Sequence, residues 1–254
     1  MAESSIIAWT DNTFNPWMGC VKVSPGCAHC YAETLTKNRM GLHLWGAKAA
    51  RQVTSPSNWK KPVAWNCEAE RDGQRKRVFC ASLCDVMEDH PTAAATRPRL
   101  WDLIRSTPWL DWQLLTKRPE NYAGNLPADW GDGWPNVWLG TSIESNEYLG
   151  RADILRQVPA TVRFISYEPA LGPLTDIDLS GIDWLIVGGE SGSNFRLMDH
   201  AWARDARAKC GAAGTAFFFK QSSAYRTEMG IELDGQIVRN YPQRRIPLPQ
   251  LSLV

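Results

Sequence analysis

The chain has 254 residues, which exceeds the usual size of a domain but agrees with that of a single α/β barrel. Hydrophobic residues make up 44% of the sequence and charged residues 22%, which excludes the disordered, collagen-like and low-complexity classes. With 28 Lys and Arg against 27 Asp and Glu, the formal charge of +1 predicts neither a polyanion-binding protein nor an acidic tail. Any nucleic-acid surface must therefore be local.

The amino terminus and the apolar runs predict a cytoplasmic protein. The start MAESSIIAWTDN lacks a basic segment followed by an apolar signal core. No apolar run approaches the roughly 20 residues that cross a bilayer. We therefore expect a cytoplasmic location and no membrane partner.

Cysteine and tryptophan are the two unusual residue types. The seven cysteines are an odd number with three crowded together, which fits a disulfide framework poorly and favours a metal or redox site. The 13 tryptophans have no fixed interval, so we expect most of them in the core and some beside a site for planar ligands.

Strand-like and helix-like segments alternate along the chain. Runs rich in β-branched and aromatic residues predict strands at 77–85, 112–118, 136–144, 162–168, 183–190 and 215–221, with an earlier strand within 15–23. Apolar residues at three- and four-residue steps predict helices at 31–45, 93–106, 146–158 and 199–214. This alternation predicts an α/β fold of the parallel βα-barrel type, as one domain over residues 1–254 with an extended tail from Tyr241.

Polar side chains recur at the ends of the predicted strands. They are Asp85, Lys117 with Arg118, Glu144, Glu168, Glu190, and Lys220 with Gln221. A buried apolar strand has no structural need for a charge at its terminus, whereas the carboxyl rim of a barrel carries ligand-binding side chains. Each charge taken alone is equally explained as a strand cap or a rim ion pair, so the repetition is the stronger signal.

Two of these strand ends have more specific patterns. In LIVGGESG, the glycines Gly188 and Gly189 would let the backbone approach a ligand beside Glu190, although a simple turn explains them equally well. Ser142 and Glu144 are two residues apart, so on an extended strand both point to the same side. They are candidates for binding a ribose hydroxyl or an amino group.

The strongest local motif is the cysteine cluster at Cys20, Cys27 and Cys30, with spacing C-x6-C-x2-C. Soft thiolates in one loop suit an iron–sulfur cluster or zinc. A structural zinc site normally needs four protein ligands, and His29 sits awkwardly between two of the cysteines. Three interpretations stay open at this point: a cluster with one iron open to a non-protein ligand, an all-protein zinc site, or unligated buried thiols.

A three-cysteine loop near the first strand of a parallel βα barrel resembles the radical S-adenosylmethionine superfamily, whose commonest spacing, C-x3-C-x2-C, is shorter. More specifically, the sequence resembles an uncharacterised, phage-associated family with a radical-SAM-type cysteine loop, and more distantly spore photoproduct lyase. The resemblance runs through NPWMGCVKVSPGCAHCYAE, VFCASLCDVMED, LLTKRPE, NVWLGTSIES, RFISYEPALGPL, DWLIVGGESG and FFFKQ. It implies a partial (β/α)6-type barrel.

The resemblance also implies the chemistry. Cys20, Cys27 and Cys30 would hold three irons of a [4Fe–4S] cluster, S-adenosylmethionine would chelate the fourth, and an electron donor protein would reduce the cluster to generate a 5′-deoxyadenosyl radical. The expected cofactor-binding residues are Lys117, Arg118, Ser142, Glu144, Glu168, Gly188, Gly189 and Glu190. Cys84, Asp85 and Lys220 are the catalytic candidates, with Cys84 as a hydrogen-atom donor.

Nucleic acid, with DNA favoured over RNA, is the expected partner for a repair or modification reaction. Basic clusters beside aromatic residues predict phosphate contacts at 59–61, 75–77, 117–118 and 244–245. Two alternatives remain open: radical modification of a peptide or small molecule, and a zinc-stabilised binding module without catalysis.

Overall fold

The computed structural model describes residues 5–243, and within them a seven-stranded parallel sheet is the central element. The strands are β1 (Asn12–Thr13), β2 (Trp17–Met18), β3 (Gln52–Val53), β4 (Lys76–Cys80), β5 (Leu110–Thr116), β6 (Val137–Ser142), β7 (Val162–Tyr167), β8 (Trp184–Gly188) and β9 (Ala216–Gln221). The helices are α1 (Tyr31–Met40), α2 (Pro56–Arg71), α3 (Pro91–Arg105), α4 (Tyr122–Asn125), α5 (Gly150–Arg156) and α6 (His200–Ala213).

The sheet is wound in chain order, as in a βα barrel. Its order is β1-β4-β5-β6-β7-β8-β9, and each neighbouring pair is parallel. β2 and β3 form a separate antiparallel pair. Because β1 and β9 lie at the two ends of this order and do not pair with each other, the barrel is open, and the predicted α/β partial barrel is confirmed.

The sheet curls around Trp9. The ring of Trp9 lies 4.6 Å from that of Phe79 on β4, 6.3 Å from Phe164 on β7 and 6.1 Å from Trp184 on β8. Among the described residues, this inner cluster contains no helix residue. The helices contribute to the larger core, together with the strand residues that alternate with those of the inner cluster. Successive residues of a strand point to opposite faces, so the helices cover the outer face.

The inner face changes from apolar to polar along the strands. Trp138 and Ser142 lie on one side of β6, Phe164 and Ser166 on one side of β7, and Phe218 and Lys220 on one side of β9. The apolar members fill the barrel and the polar members follow toward the carboxyl ends. The carboxyl edge of the sheet is therefore the polar end of the interior.

The predicted strands from 112 onward are found within a few residues of their expected bounds, whereas three other predictions need correction. β4 ends at Cys80, so Cys84 and Asp85 lie in the loop after it. The expected strand within 15–23 is only β2, and the first strand of the main sheet lies at 12–13. The helix expected over 31–45 ends at Met40 because Gly41 adopts a left-handed conformation with φ of 67°.

None of the helices in residues 5–243 combines the length and the apolar character that crossing a membrane requires. Most of the tail expected from Tyr241 lies outside the described residues.

Candidate functional site

A cavity of about 700 Å³ lies at the carboxyl edge of the sheet. Most of the expected site residues line it: Cys20, Cys27, Cys30, Cys84, Asp85, Lys117, Arg118, Ser142, Glu168, Gly189, Glu190 and Lys220. Glu144 and Gly188 are not among the lining residues. A cavity of this size is typical of sites for small organic ligands and cofactors.

The cysteine loop, residues 20–30, closes one side of this cavity. Cys20 is fixed by backbone pairing with Trp45, Cys27 ends a 3-10 turn, and Cys30 directly precedes α1. All seven cysteines of the chain are free thiols. The fold therefore brings the three cysteines of the loop to the wall of one cavity.

Burial disfavours the thiolate form of two of these cysteines. Burial and the nearby Asp85 carboxylate raise the pKa of Cys20 to about 12, against the opposing charge of Arg118. Burial also raises the pKa of Cys30, although the backbone N–H groups of Glu33 and Ala32 oppose it. A metal centre would supply the positive charge that stabilises these buried thiolates.

The described donor side chains are not arranged around a single metal ion. Among the described residues, no three His, Cys, Asp or Glu side chains are placed to hold one metal ion. In a [4Fe–4S] cluster each thiolate binds a different iron, so the sulfurs need not meet around one centre. A four-coordinate zinc site would require the cysteine loop to rearrange and to recruit a fourth ligand.

Asp85 and Arg118 lie in the cavity wall as a buried pair. Arg118 Nη1 is 2.7 Å from Asp85 Oδ2 and Arg118 Nη2 donates to the Val21 carbonyl at 2.7 Å. Asp85 Oδ1 accepts from Thr116 Oγ1 and from the backbone N–H of Met87. The polar atoms expected to face cofactor or substrate are therefore largely engaged within the protein.

Glu144, an expected cofactor contact, lies beneath the cysteine loop and not in the lining of the cavity. The residue is 1% exposed, and its carboxylate accepts from Ser24 Oγ at 2.7 Å, Lys117 Nζ at 2.9 Å and Arg151 Nη1 at 3.0 Å. A Cβ atom on Gly26 would lie 2.5 Å from Glu144 Oε1. Glu144 therefore contacts the cysteine loop, and the Lys117 side chain forms an ion pair with Glu144.

Glu190 holds the other end of the loop. Its Oε2 lies 3.1 Å from His29 Nδ1 and 2.9 Å from Arg196 Nε, and Arg196 also donates to the Pro25 carbonyl at 3.0 Å. Burial would raise the pKa of Glu190, but hydrogen bonds from Arg196 and His29 outweigh it and lower the pKa. Three strand-end groups, Arg118, Glu144 and Glu190, thus anchor the cysteine loop.

One strand-end pair faces the cavity without contacting the cysteine loop. Lys220 Nζ donates to Glu168 Oε1, and both side chains line the cavity. The buried residues Ser142 and Ser166 are paired neighbours on β6 and β7 and also line it. Ser166 was not singled out from the sequence, because a serine in mid-strand gives no signal until its neighbour across the sheet is known.

The two adjacent glycines have packing roles. A Cβ on Gly188 would lie 3.2 Å from Glu168 Cδ, and one on Gly189 would lie 2.2 Å from the backbone nitrogen of Ser223. The close approach expected for a ligand is therefore made by protein atoms. Cys84 lines the cavity, and burial raises the pKa of its thiol well above the ordinary value.

Of the basic clusters expected to bind phosphate, two pair with carboxylates and one lies outside the described residues. Arg75, Lys76 and Arg77 lie at the opposite, amino end of β4 and pair with Asp111, Glu68 and Asp11. Trp59 is buried in the core beneath Arg99. Lys117 and Arg118 are paired as described above, and Arg244 with Arg245 lies outside the described residues.

Comparisons with known proteins place the chain in a family. A model of the family described as "Protein of unknown function (DUF5131)" matches residues 4–242. Among the curated proteins no match is found. Among solved structures the chain is similar to a mutant spore photoproduct lyase with bound AdoMet and a dinucleoside spore photoproduct, at 13% identity and a TM-score of 0.43. That alignment covers 79% of this chain and 61% of the other.

Proposed function

We propose that this chain, which belongs to the DUF5131 family, is a radical S-adenosylmethionine enzyme with a [4Fe–4S] cluster on Cys20, Cys27 and Cys30. One observation carries the proposal: three free thiols of one loop line a single cavity at the carboxyl edge of a parallel barrel. When bound and reduced by an electron donor protein, such a cluster supplies the electron that cleaves the sulfonium bond of S-adenosylmethionine.

The ion pair in the cavity suits the amino acid end of that cofactor. S-adenosylmethionine carries an ammonium and a carboxylate, and Glu168 and Lys220 offer one charge of each complementary sign. The hydroxyls of Ser142 and Ser166 lie on the same inner face and suit the ribose. Ser142 and Glu168 thus stay among the proposed cofactor contacts, and Ser166 and Lys220 are added in place of Glu144 and Arg118.

Equilibrium binding of S-adenosylmethionine to the reconstituted protein tests this assignment. We expect Glu168→Gln and Lys220→Gln each to weaken binding roughly tenfold or more, since each removes a charged hydrogen-bond partner. Asp205→Asn, which removes a charge from the exposed pair with Lys209, is the matched control. Unchanged affinity in both cavity variants would contradict the assignment.

Formation of 5′-deoxyadenosine tests the reaction itself. Reduced, reconstituted protein should cleave S-adenosylmethionine, and Cys27→Ala should abolish product because the cluster loses a ligand. Cys67→Ala, which changes an exposed cysteine on α2, should retain the activity. Product levels equal to those of cluster-free protein, with several reductants, would overturn the proposed reaction.

For the substrate we propose nucleic acid, and in particular damaged or modified DNA. The exposed side chains that line the mouth of the cavity support this proposal. They are apolar, aromatic or basic, and none of those described is acidic. Tyr31 and Tyr225 are 53% and 62% exposed there, and the exposed Arg226 follows Tyr225, whereas the exposed Lys22 pairs with Glu33. Exposed aromatic rings and cations together bind unpaired bases and phosphates.

A salt series of fluorescence anisotropy with single-stranded DNA and RNA tests the substrate. Arg226→Gln should reduce the slope of log affinity against log salt by about 0.7 if it contacts one phosphate. Lys76→Gln, at the other end of the barrel, should leave the slope unchanged. Absence of binding to both nucleic acids at low salt would favour a peptide or small-molecule substrate.

A further inference from the structure

One cation of the cavity wall lies against a cysteine sulfur. Arg118 follows β5, and its side chain is 8% exposed. Its Nη1 lies 3.7 Å from Cys20 Sγ, while Nη2 donates to the carbonyl of Val21, the next residue. The guanidinium therefore contacts the cysteine loop at both the ligand and the backbone.

Acidic side chains hold the Arg118 guanidinium in place. Asp85 Oδ2 accepts from Arg118 Nη1 at 2.7 Å and from the backbone N–H of Lys117 at 3.1 Å. Asp85 Oδ1 is fixed by Thr116 Oγ1 at 2.7 Å, and Glu88 lies 4.0 Å from Arg118 Nη2. Because buried ionic groups with several partners cannot reorient cheaply, Arg118 remains directed at Cys20.

The three loop sulfurs have different electrostatic surroundings. Cys27 Sγ lies 3.8 Å from the neutral hydroxyl of Ser24. Among the described residues, Arg118 is the one cationic side chain hydrogen-bonded to a cysteine of the loop. Arg118 therefore places a positive charge directly against Cys20 Sγ, where it opposes the charge of the nearby Asp85 carboxylate.

We propose that Arg118 is a redox-tuning residue that raises the reduction potential of the cluster through Cys20. The inference rests on the proposed function, because it needs the cluster. One-electron reduction takes the cluster from charge 2+ to 1+ with no proton transferred and no bond broken, and dithionite is the electron source in the test. A cation and an N–H donor beside a ligand sulfur stabilise the more negative, reduced state, which raises the potential.

A redox titration followed by electron paramagnetic resonance tests the inference on the reconstituted full chain. We expect Arg118→Gln and Arg118→Met to shift the midpoint potential to more negative values, since both remove the charge. Arg118→Lys keeps the charge and should shift it less. Arg77→Gln, which removes an arginine from the opposite end of the barrel, is the control and should leave the potential unchanged.

Each outcome decides between the two proposals. Wild-type protein that takes up no [4Fe–4S] cluster overturns the proposed function and this inference with it. An intact cluster at the wild-type potential in either neutral variant overturns the inference alone. If both neutral variants fold but lose the cluster while Arg118→Lys retains it, Arg118 positions the loop, and the redox role is wrong.

Discussion

At the residue scale, Glu144 supports the site without lining the cavity. Its carboxylate is buried beneath the cysteine loop, where Lys117 and Arg151 neutralise it and Ser24 donates to it. Removing one partner of a buried ion pair typically costs about 3–5 kcal/mol, because the other charge is left unpaired. The conformation of the loop therefore depends on this carboxylate.

The contact between Gly26 and Glu144 gives a direct test of that dependence. In Gly26→Ala the new Cβ would lie 2.5 Å from Glu144 Oε1, so the loop must move away. Overpacking of this kind costs about 1–3 kcal/mol. We expect a lower free energy of unfolding in urea and less iron bound after reconstitution.

Gly211→Ala is the control for this substitution. Gly211 lies inside α6 with nothing within 4 Å of an added Cβ, so alanine should stabilise the helix by about 0.5–1 kcal/mol. Iron uptake in this variant should equal that of the wild type. If Gly26→Ala also keeps full iron and full stability, Glu144 does not set the loop conformation.

At the element scale, β1 shows how a very short strand is held at the edge of the sheet. It has two residues, and among the described strands it pairs only with β4. Just before it, Asp11 accepts from the backbone N–H of Arg77 at 2.8 Å and forms an ion pair with the Arg77 guanidinium at 2.9 Å. This side-chain contact joins the two strands beyond their backbone ladder.

The Asp11–Arg77 pair predicts a pH-dependent contribution to stability. Burial would raise the pKa of Asp11, but the hydrogen bonds and charge of Arg77 outweigh it and lower the pKa below the ordinary value. A carboxylate with a lowered pKa in the folded state stabilises that state above its unfolded pKa. The contribution is lost as pH falls through the folded pKa.

Urea unfolding of wild-type protein and Asp11→Asn at several pH values measures this contribution. The variant should be less stable at about pH 7, and the difference should shrink as pH falls below about 4. A difference that stays constant down to about pH 2 would show that Asp11 acts through packing and not through its charge.

The elements also show what a single sequence can predict. The later strands were predictable because β-branched and aromatic residues fill both of their buried faces. Four elements were not: β1, β3 and α4 are too short to show a period, and α2 was missed. α2 contains Pro62, which reads as a helix breaker, yet its start fits a helix because Ser55 caps it and Pro56 follows.

At the scale of the whole molecule, the candidate site depends on contacts between distant parts of the chain. The sequence identified the polar groups at the strand ends, and most of them line the cavity. It did not identify their partners, since Ser24 and Glu144 are 120 positions apart and Arg196 and Pro25 are 171 apart. Because these partners are so far apart in the sequence, the strand-end pattern predicts cofactor ligands at residues that contact the cysteine loop in the structure.

The central claim is that the three loop thiols hold a [4Fe–4S] cluster. The most direct measurement is iron and sulfide content with Mössbauer spectroscopy after anaerobic reconstitution of the full chain. The set comprises wild type, single alanine variants of Cys20, Cys27 and Cys30, and matched variants of Cys67, Cys84 and Cys210.

We predict about four irons per chain in the wild type and in the variants outside the loop, with loss of the cluster from each loop variant. Full iron in Cys27→Ala, or a wild-type protein that binds zinc and no iron–sulfur cluster, would contradict the account.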